Sequence, residues 1–392
     1  MKKKILLYIG SRANYSSARS LLRSFTNNKK IEPIVVLGAA ALIDKYGNLE
    51  NLIIQDGFKV DEKISFLVEG GKLENMAQSC GIAMNSFPSI LQKYSPDFVF
   101  VIGDRFDVLP IASSAMLMNI PLAHSMGGER SGTIDESIRH AISKMANLHF
   151  VANLDAKKRL IKMGEREEII FNVGCPRIDY INETLDRFKA GKLLTSEELF
   201  KNFKGVGREF NLLENDFLLV SFHPITTEYN NLREATRNLL AALSKINMKT
   251  IMLWPNADAG NNQISKEIRI FRELNDPDWL YLFKNLPVEV YLQLMFQAKC
   301  LIGNSSSAIR EGEFMEVPSV NIGTRQNSRL RGNNIFDCDY SEKEIFSAIN
   351  HQISLDKKPK SEHLYGNGEA ANSIAKILID TNIENTQKLN SY

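Results

Sequence analysis

Short apolar runs alternate along the chain with longer segments in which apolar residues recur at helical spacing. In the first half, runs of strand length occupy Lys4–Ile9, Ile31–Leu37, Phe98–Ile102, Ile120–His124 and His149–Ala152. A turn is expected over Gly10–Tyr15, and helices are expected at Ser16–Phe25, Ala39–Gly47, Leu73–Tyr94, between Gly103 and Met118, at Asp135–Ala146 and from Asp155 onward. Regular alternation of this kind predicts parallel βαβ units.

A second alternation follows a charged connecting region between Leu185 and Glu214. Its predicted strands are Phe217–Phe222, Thr250–Trp254, Tyr281–Lys284, Cys300–Gly303 and Ser319–Gly323. We therefore predict an α/β fold of two doubly wound, Rossmann-like domains facing a cleft, with the ligand at the carboxyl ends of the strands. The predicted division gives residues 1–175, residues 176–365, and a C-terminal helix within 366–392 that packs back on the first domain.

Composition narrows the possible partners. The 392 residues carry a net charge of +2, so no bulk field favours nucleic acid or an anionic membrane surface. No apolar run approaches the roughly 18 residues of a membrane-spanning helix, and the N-terminal run is too short for a signal peptide, so we expect a cytoplasmic protein. The four cysteines are widely separated, which disfavours a disulfide framework or a zinc site.

Two common nucleotide-binding motifs are missing from the sequence. No Walker A sequence is present, and no G-x-G-x-x-G follows the first strand. These absences count against a P-loop NTPase and against a dinucleotide-dependent dehydrogenase.

The stretch from His124 to Arg139 concentrates ionisable groups between a predicted strand and a predicted helix. His124, Glu129, Asp135 and Arg139 are candidate catalytic residues, and Asp104, just after an earlier strand, joins them because proton transfer needs such groups. Structural alternatives stay open. Asp135 can cap its helix or pair with Arg139 one turn away, and Asp104 can pair with the arginine that follows it or cap a helix.

The second half carries candidates for anion binding after its strands. Gly303–Ser307 can present N–H and hydroxyl groups to an anion, although plain N-capping by serine accounts for the same pattern. His223 and Pro255–Gly260 each end a strand, where a structural histidine and an ordinary turn are the alternatives. Arg325 and Arg12 are candidates for binding a phosphate group.

These residues, in this order, resemble the hydrolysing UDP-N-acetylglucosamine 2-epimerases, which include the bacterial enzymes of sialic acid biosynthesis and the epimerase half of the animal bifunctional epimerase/kinase. The resemblance covers nearly the whole chain. It rests on Arg12–Ser16, Gly103–Asp107, His124 with Gly127–Glu129, Gly132–Asp135, Ser137–Ala141, Gly174–Pro176, His223-Pro224, Asp258–Gly260, Asn304–Ser306, Arg310-Glu311 and Asn321–Gln326.

The resemblance implies a fold like that of the two-domain (GT-B type) nucleotide-sugar glycosyltransferases, with UDP held mainly by the C-terminal domain. It implies a diphosphate site at Ser305, Ser306 and Arg12. It implies a uridine and ribose site at Arg105, His223, Asn256, Asp258 and Glu311. Arg325 would face the reacting sugar and phosphate, and the sugar pocket would be lined by Asp104, Glu129, Asp135 and Arg139.

The implied reaction has two steps and needs no metal or other cofactor. A base removes the proton on sugar C2 while UDP leaves C1, which gives a 2-acetamidoglucal. Water then adds at C1 and a proton returns to the opposite face of C2, which gives N-acetylmannosamine. The resemblance also implies a UDP-sugar substrate and a dimer or tetramer of identical chains.

Four alternatives remain at this point. The substrate can be a UDP-2,4-diacetamido-2,4,6-trideoxy sugar, as in pathways to legionaminic-type acids. The enzyme can be a non-hydrolysing UDP-N-acetylglucosamine 2-epimerase, whose product stays linked to UDP. A retaining glycosyltransferase and a nucleotide-sugar-binding protein without activity use the same fold.

Two positions depart from the family pattern. The position two after His124 often carries an ionisable residue in the family, and here it is Met126, whose thioether cannot accept the C2 proton. That role then falls to Glu129, Asp104 or Asp135. The second departure is Asn14, which stands where the family often has aspartate.

Overall fold

The computed structural model describes residues 2–43, 49–70, 72–131, 134–212, 216–256, 258–284 and 286–389. The chain divides into two compact units. Unit 1 comprises residues 1–130, 134–182 and 365–392, and unit 2 comprises residues 131–133 and 183–364. The last segment of the chain therefore belongs to the same unit as the first.

Each unit is built on a mainly parallel sheet. In unit 1 the strands are β1 (Lys3–Ile9), β2 (Ile31–Gly38), β3 (Glu62–Ile64), β4 (Phe98–Ile102), β5 (Leu122–Ser125), β6 (Leu148–Val151) and β7 (Ile170–Asn172). In unit 2 they are β8 (Gly205–Val206), β9 (Leu218–Ser221), β10 (Thr250–Leu253), β11 (Leu280–Phe283), β12 (Cys300–Gly303), β13 (Ser319–Ile322) and β14 (Ile335–Cys338).

Helices connect most of the consecutive strands in both units. The α-helices among the described residues are α1 (Arg12–Asn27), α2 (Leu49–Gln55), α3 (Leu73–Tyr94), α4 (Leu109–Leu117), α5 (Ile134–Met145), α6 (Leu154–Lys162), α7 (Pro176–Lys189), α8 (Ser196–Asn202), α9 (Leu232–Ile246), α10 (Asn261–Asn275), α11 (Val288–Gln297), α12 (Ser306–Ile309), α13 (Glu311–Phe314), α14 (Glu342–Ile353) and α15 (Ala370–Asp380).

The strand orders place a topological switch point in each sheet. Unit 1 runs β3-β2-β1-β4-β5-β6-β7, with all neighbours parallel. Unit 2 runs β14-β13-β12-β9-β10-β11-β8, and β8 is antiparallel to β11. The order reverses between β1 and β4 in unit 1 and between β9 and β12 in unit 2, which is where doubly wound folds bind ligands. The prediction of two doubly wound α/β domains is confirmed.

Buried apolar side chains cover both faces of each sheet, as parallel sheets require. In unit 1, a row of aromatic rings crosses the strands: Phe100 stacks on Phe150, with ring centroids 5.8 Å apart, and Phe150 stacks on Phe171 at 5.9 Å. Unit 2 has a comparable core, in which Trp279 is buried. These cores leave the carboxyl ends of the strands to carry the polar groups.

Some local predictions were wrong. Helix α1 begins at Arg12, inside the stretch predicted as a turn, because the Ser11 side chain accepts a hydrogen bond from the Asn14 N–H at 3.2 Å and caps the helix there. The helix expected from Ala39 is a single 3₁₀ turn, Ala39–Leu42. Residues 44–47 of that prediction lie outside the described residues.

Candidate active site

Polar residues occupy the switch point of unit 1. Arg12 opens α1 just beyond β1, and Asp104 lies in the turn just beyond β4. Gly10 lets this edge close tightly, because a Cβ there would lie 1.8 Å from the Asp107 carboxylate. The first turns after β1 and β4 are thus brought together at the carboxyl edge of the sheet.

An ion pair anchors the acidic residues of unit 1. The Arg139 side chain is fully buried, at 0% exposure, and its Nη2 donates to the Asp104 carboxylate. Its Nη1 donates to the backbone carbonyl of Glu129 at 2.9 Å. The sequence offered Asp135, on the same helix, as a partner for Arg139, whereas the structure brings it a carboxylate from the turn after β4. Arg139 therefore links Asp104 to the buried Glu129.

Asp135 lies in the first turn of α5 and is partly exposed. Gly132 and Thr133, which precede it in the family motif, lie outside the described residues. Asp135 thus sits on the helix that carries Arg139, one turn nearer its N-terminus.

His124 is held by both ring nitrogens. It is fully buried, its Nε2 lies 2.8 Å from the Gly103 carbonyl, and its Nδ1 lies 3.1 Å from the Ser143 hydroxyl. A carbonyl only accepts, so Nε2 carries the proton and Nδ1 accepts from Ser143. Burial lowers the pKa of His124 to about 3, which keeps the ring neutral. This arrangement favours a positioning role over proton transfer.

Met126 is buried in unit 1. Its backbone has a φ of 68°, and its sulfur lies 4.0 Å from the Ser17 hydroxyl and 4.0 Å from the Cys175 sulfur. The left-handed backbone is costly for a residue with a Cβ, so the turn after β5 is fixed by its surroundings. Met126, one of the two residues that depart from the family pattern, is therefore buried inside the protein.

Arg105 is held by Asp107, a residue of the Gly103–Asp107 motif for which the sequence predicts no role. Its Nε donates to Asp107 at 3.0 Å, and Asp107 is buried and also accepts from the Tyr8 hydroxyl at 3.1 Å. Burial and the neighbouring Asp107 raise the pKa of Tyr8, so it remains a hydrogen-bond donor. Asp107 thus fixes the direction of the Arg105 guanidinium.

The switch point of unit 2 is organised by Asn304. This side chain is completely buried; its Oδ1 accepts the His223 N–H at 2.8 Å, and its Nδ2 donates to the His223 carbonyl at 2.9 Å. The Asn304 carbonyl accepts from Arg325 at 3.1 Å and from Gln326 at 2.9 Å. One residue therefore ties together the segments after β9, β12 and β13. The sequence signal that pointed to Asn304 was its position in the Asn304–Ser306 motif.

Two further predicted residues join His223. The Asn256 N–H donates to His223 Nδ1 at 3.3 Å, so Nε2 carries the proton and faces the Ser221 hydroxyl at 3.1 Å. The Asn256 side chain donates to the Asp258 carboxylate at 2.6 Å. Ala257, between them, lies outside the described residues. The turn after β10 is thus connected to the segment after β9.

The serine run after β12 is partly used by the fold itself. Ser305 caps α12 by accepting from the Ser307 N–H at 3.3 Å, and Ser307 also contacts the Tyr291 hydroxyl at 2.6 Å. Ser306 is the first residue of α12 and is partly exposed. The capping alternative therefore describes Ser305.

Glu311 is the first residue of α13 and is buried, as is Arg310 beside it. Across the described ranges, no group of three or more His, Cys, Asp or Glu side chains is arranged to hold a metal ion. Within the same ranges, no helix is both long and apolar enough to span a membrane.

Comparison with known proteins identifies the family. Residues 23–379 match the family described as UDP-N-acetylglucosamine 2-epimerase. The match spans most of the chain, so the protein belongs to this family, and the family resemblance predicted from the sequence motifs is confirmed.

The relatives act on more than one sugar. The chain is 31% identical to a hydrolysing UDP-N,N'-diacetylbacillosamine 2-epimerase of Legionella pneumophila, over 100% of both chains. It is also 31% identical to a UDP-N-acetylglucosamine 2-epimerase of Neisseria meningitidis, over 91% of this chain and 89% of the relative. The crystal structure of UDP-GlcNAc 2-epimerase from Neisseria meningitidis bound to UDP-GlcNAc shares the fold, with a TM-score of 0.79 at 15% identity over 96% of this chain and all of that one.

Proposed function

We propose that this protein is a hydrolysing UDP-N-acetylglucosamine 2-epimerase that releases UDP and N-acetylmannosamine for the synthesis of sialic acid-type nonulosonates. Family membership supports the class of reaction. The single structural observation that carries the proposal is the Asp104–Arg139–Glu129 arrangement at the switch point of unit 1. It holds the Asp104 carboxylate and the backbone of a second, buried acidic residue, Glu129, through one arginine. Proton removal and return at a sugar carbon call for more than one acidic group.

Residues of unit 2 supply most of the UDP binding in this proposal, and Arg12 and Arg105 of unit 1 supply the rest. Ser306 and Arg325, with Arg12 and the capping Ser305, bind the diphosphate. The uridine and ribose are bound by a larger group consisting of Arg105, His223, Asn256, Asp258 and Glu311. Charge develops on the diphosphate as it leaves, so preorganised N–H, hydroxyl and guanidinium groups accelerate its departure.

Unit 1 carries the proton transfers. A carboxylate removes the proton on C2, the C2–H electron pair forms the C1–C2 double bond, and the C1–oxygen bond breaks with its electrons going to UDP. Water then adds its hydroxyl group to C1 and gives its other proton to a carboxylate, while a proton is delivered to the opposite face of C2. We assign the two transfers to Asp104 and Glu129, with Asp135 as the third acidic group, since Met126 cannot take part.

Arg139 fits this assignment because it holds the Asp104 carboxylate in place. His124 holds the turn that carries Asp104 through the Gly103 carbonyl. The reaction as written needs no metal and no other cofactor. The cytoplasmic location and the dimer or tetramer expected from the sequence stay predictions.

Product analysis tests the proposal directly. The enzyme is incubated with UDP-N-acetylglucosamine, and UDP and free sugar are quantified by chromatography and nuclear magnetic resonance. Release of UDP with free N-acetylmannosamine is expected. Formation of UDP-N-acetylmannosamine would indicate the non-hydrolysing reaction instead, and UDP release that depends on an added acceptor would indicate a glycosyltransferase. Binding of UDP with no turnover of any sugar nucleotide would remove the enzymatic assignment.

A second substrate has support of its own. The Legionella relative, which aligns over the entire chain, is named for UDP-N,N'-diacetylbacillosamine. The buried Met126 is also compatible with a less polar sugar, such as a 2,4-diacetamido-2,4,6-trideoxy sugar. Both sugar nucleotides are therefore assayed side by side, and the ratio of their kcat/KM values decides the substrate.

A further inference from the structure

The C-terminal segment of the chain reaches the end of α5. The ammonium group of Lys388 lies 3.2 Å from the carbonyl of Ser143, 3.0 Å from that of Lys144 and 2.6 Å from that of Ala146. The last carbonyls of a helix have no partner within the helix and lie at the negative end of its dipole. Lys388 thus binds the C-terminal end of α5 as a cation.

A buried carboxylate fixes Lys388 in this position. The Lys388 ammonium lies 2.5 Å from Glu165, which is 1% exposed and is also bound by His149 at 3.0 Å and by Lys144 at 2.8 Å. Burial works to raise the pKa of Glu165, but the hydrogen bonds from His149, Lys144 and Lys388 outweigh it and hold the pKa at about 2. Removing one cation from such a buried group is costly, so the arrangement is specific.

Two series of contacts connect this end of α5 to the turn that carries Asp104. Ser143, whose carbonyl Lys388 binds, holds His124 through its hydroxyl at 3.1 Å. His124 in turn holds the Gly103 carbonyl at 2.8 Å, one residue before Asp104. The other route is the helix itself, because Arg139 stands one turn before Ser143 and pairs with the Asp104 carboxylate.

We propose that Lys388 is a positioning residue for the reaction, which fixes α5 at its C-terminal end and thereby sets the place of the Asp104 carboxylate. Its effect on turnover rests on the proposed function, whereas its effect on the Asp104 turn is independent of it. Lys388 acts through Ser143, His124 and Arg139.

Turnover and UDP binding are compared in Lys388→Met, with Lys376→Met as a matched control in which an exposed lysine of α15 is changed in the same way. We expect kcat to fall about tenfold or more, because a small misplacement of a catalytic group is costly. The number of UDP sites per chain and the UDP affinity should stay at the wild-type level. Lys388→Arg, which keeps the cation and its donors, should recover most of the activity.

A loss of folded protein would lower the number of UDP sites together with kcat, so that outcome contradicts a positioning role. A second test uses Ser143→Ala. If Lys388 acts through the Ser143 hydroxyl, the double variant loses little more than the more damaging single variant. If the two act independently, their losses in kcat multiply, and the route through Ser143 and His124 is wrong.

Hydrogen exchange tests the effect of Lys388 on the Asp104 turn without a measurement of activity. In Lys388→Met, amides of residues 100–106, 122–127 and 138–146 should exchange faster than in the wild type, with those of unit 2 unchanged. Unchanged exchange at residues 100–106 would overturn the coupling to Asp104. Faster exchange there in a protein with no turnover of any UDP-sugar would leave the positioning inference standing and reject the proposed function.

Discussion

The ion pair between Asp104 and Arg139 is the charged contact on which the assigned proton transfers depend. A fully buried guanidinium is found only where it is paired, so Arg139 holds Asp104 and the Glu129 backbone in one arrangement. The Asp104 side chain and the Glu129 backbone are therefore placed by the fold.

We expect Asp104→Asn and Glu129→Gln each to lower kcat by more than about a hundredfold, because each removes an acid/base group without changing its size. Glu136→Gln, an acid-to-amide change in the first turn of α5, is the matched control and should stay within about twofold of the wild type. Steady-state kinetics with the preferred sugar nucleotide measures all three. Near-normal turnover in both Asp104→Asn and Glu129→Gln would remove these residues from the chemistry.

His124 makes the stability of the protein depend on pH. Its pKa is lowered to about 3 by burial, whereas an unfolded histidine titrates near 6.5. The unfolded chain therefore binds a proton below pH 6.5 that the folded chain does not bind, so the stabilisation is complete above pH 6.5 and is lost as the pH falls toward 3. The expected contribution is about 1.4 kcal/mol per pH unit over this window.

Urea unfolding between pH 7 and pH 5, followed by circular dichroism, measures this dependence. His124→Asn keeps one donor and one acceptor but does not titrate. Its free energy of unfolding should therefore fall less steeply as the pH decreases, and the difference between the two slopes should correspond to the uptake of about one proton on unfolding. Equal slopes in the two proteins would show that His124 does not carry the linkage.

The candidate site residues themselves were predictable from the sequence, but most of the residues that they contact were not. Asp104, Glu129, Arg139 and His124 stand out in the sequence because ionisable groups follow strands. The pairing of Asp104 with Arg139 arises from the neighbouring positions of β4 and β5 in the sheet, and local spacing indicated a partner on the same helix instead. Ser143 carried no signal, since a helical serine usually has no special role.

Strands and helices were predictable where burial dictates their sequence. The central strands β1, β4, β9 and β12 are continuous apolar runs because both faces of a parallel sheet are covered. The short strands β3, β7 and β8 at the sheet edges were not predicted, since Glu62–Ile64, Ile170–Asn172 and Gly205–Val206 lack such runs. Backbone pairing with a neighbour, rather than their own pattern, makes these segments strands.

The short helix α12 separates two roles that adjacent serines can play. Ser305→Ala removes the cap of α12 and should lower the free energy of unfolding by about 1 kcal/mol. Ser306→Ala removes a partly exposed hydroxyl and should weaken UDP binding with little change in stability. Calorimetric titration with UDP and urea unfolding on both variants test the pair. An unchanged UDP affinity in Ser306→Ala would leave the serine run as a helix cap only.

At the scale of the whole molecule, the path of the chain determines which unit needs the C-terminal residues for its stability. Unit 2 contains one long continuous segment, 183–364, whereas unit 1 needs residues 365–392 to return to it. The Asp179 carboxylate accepts from the N–H groups of Ala370 and Ala371 at 3.0 and 2.6 Å and so caps α15. Ile374 and Leu378 of α15 are fully buried. Each contributes about 1.5–3 kcal/mol of hydrophobic burial.

Ending the chain at Leu364 should therefore unfold or strongly destabilise unit 1 and leave unit 2 folded. The two tryptophans of the chain, Trp254 and Trp279, both lie in unit 2, so their fluorescence reports on that unit alone. In urea, we expect the fluorescence transition of the shortened chain to stay near that of the full chain, while hydrogen exchange in β1, β4 and β5 becomes fast.

Asp179→Asn is the milder control for the same contact. It keeps a side-chain acceptor at the start of α15 but loses the charge, so it should destabilise unit 1 by about 1 kcal/mol without moving the tryptophan transition. If the shortened chain instead loses its tryptophan transition together with the protection of β1, the two units unfold as one cooperative body, and the separate dependence of unit 1 on residues 365–392 is wrong.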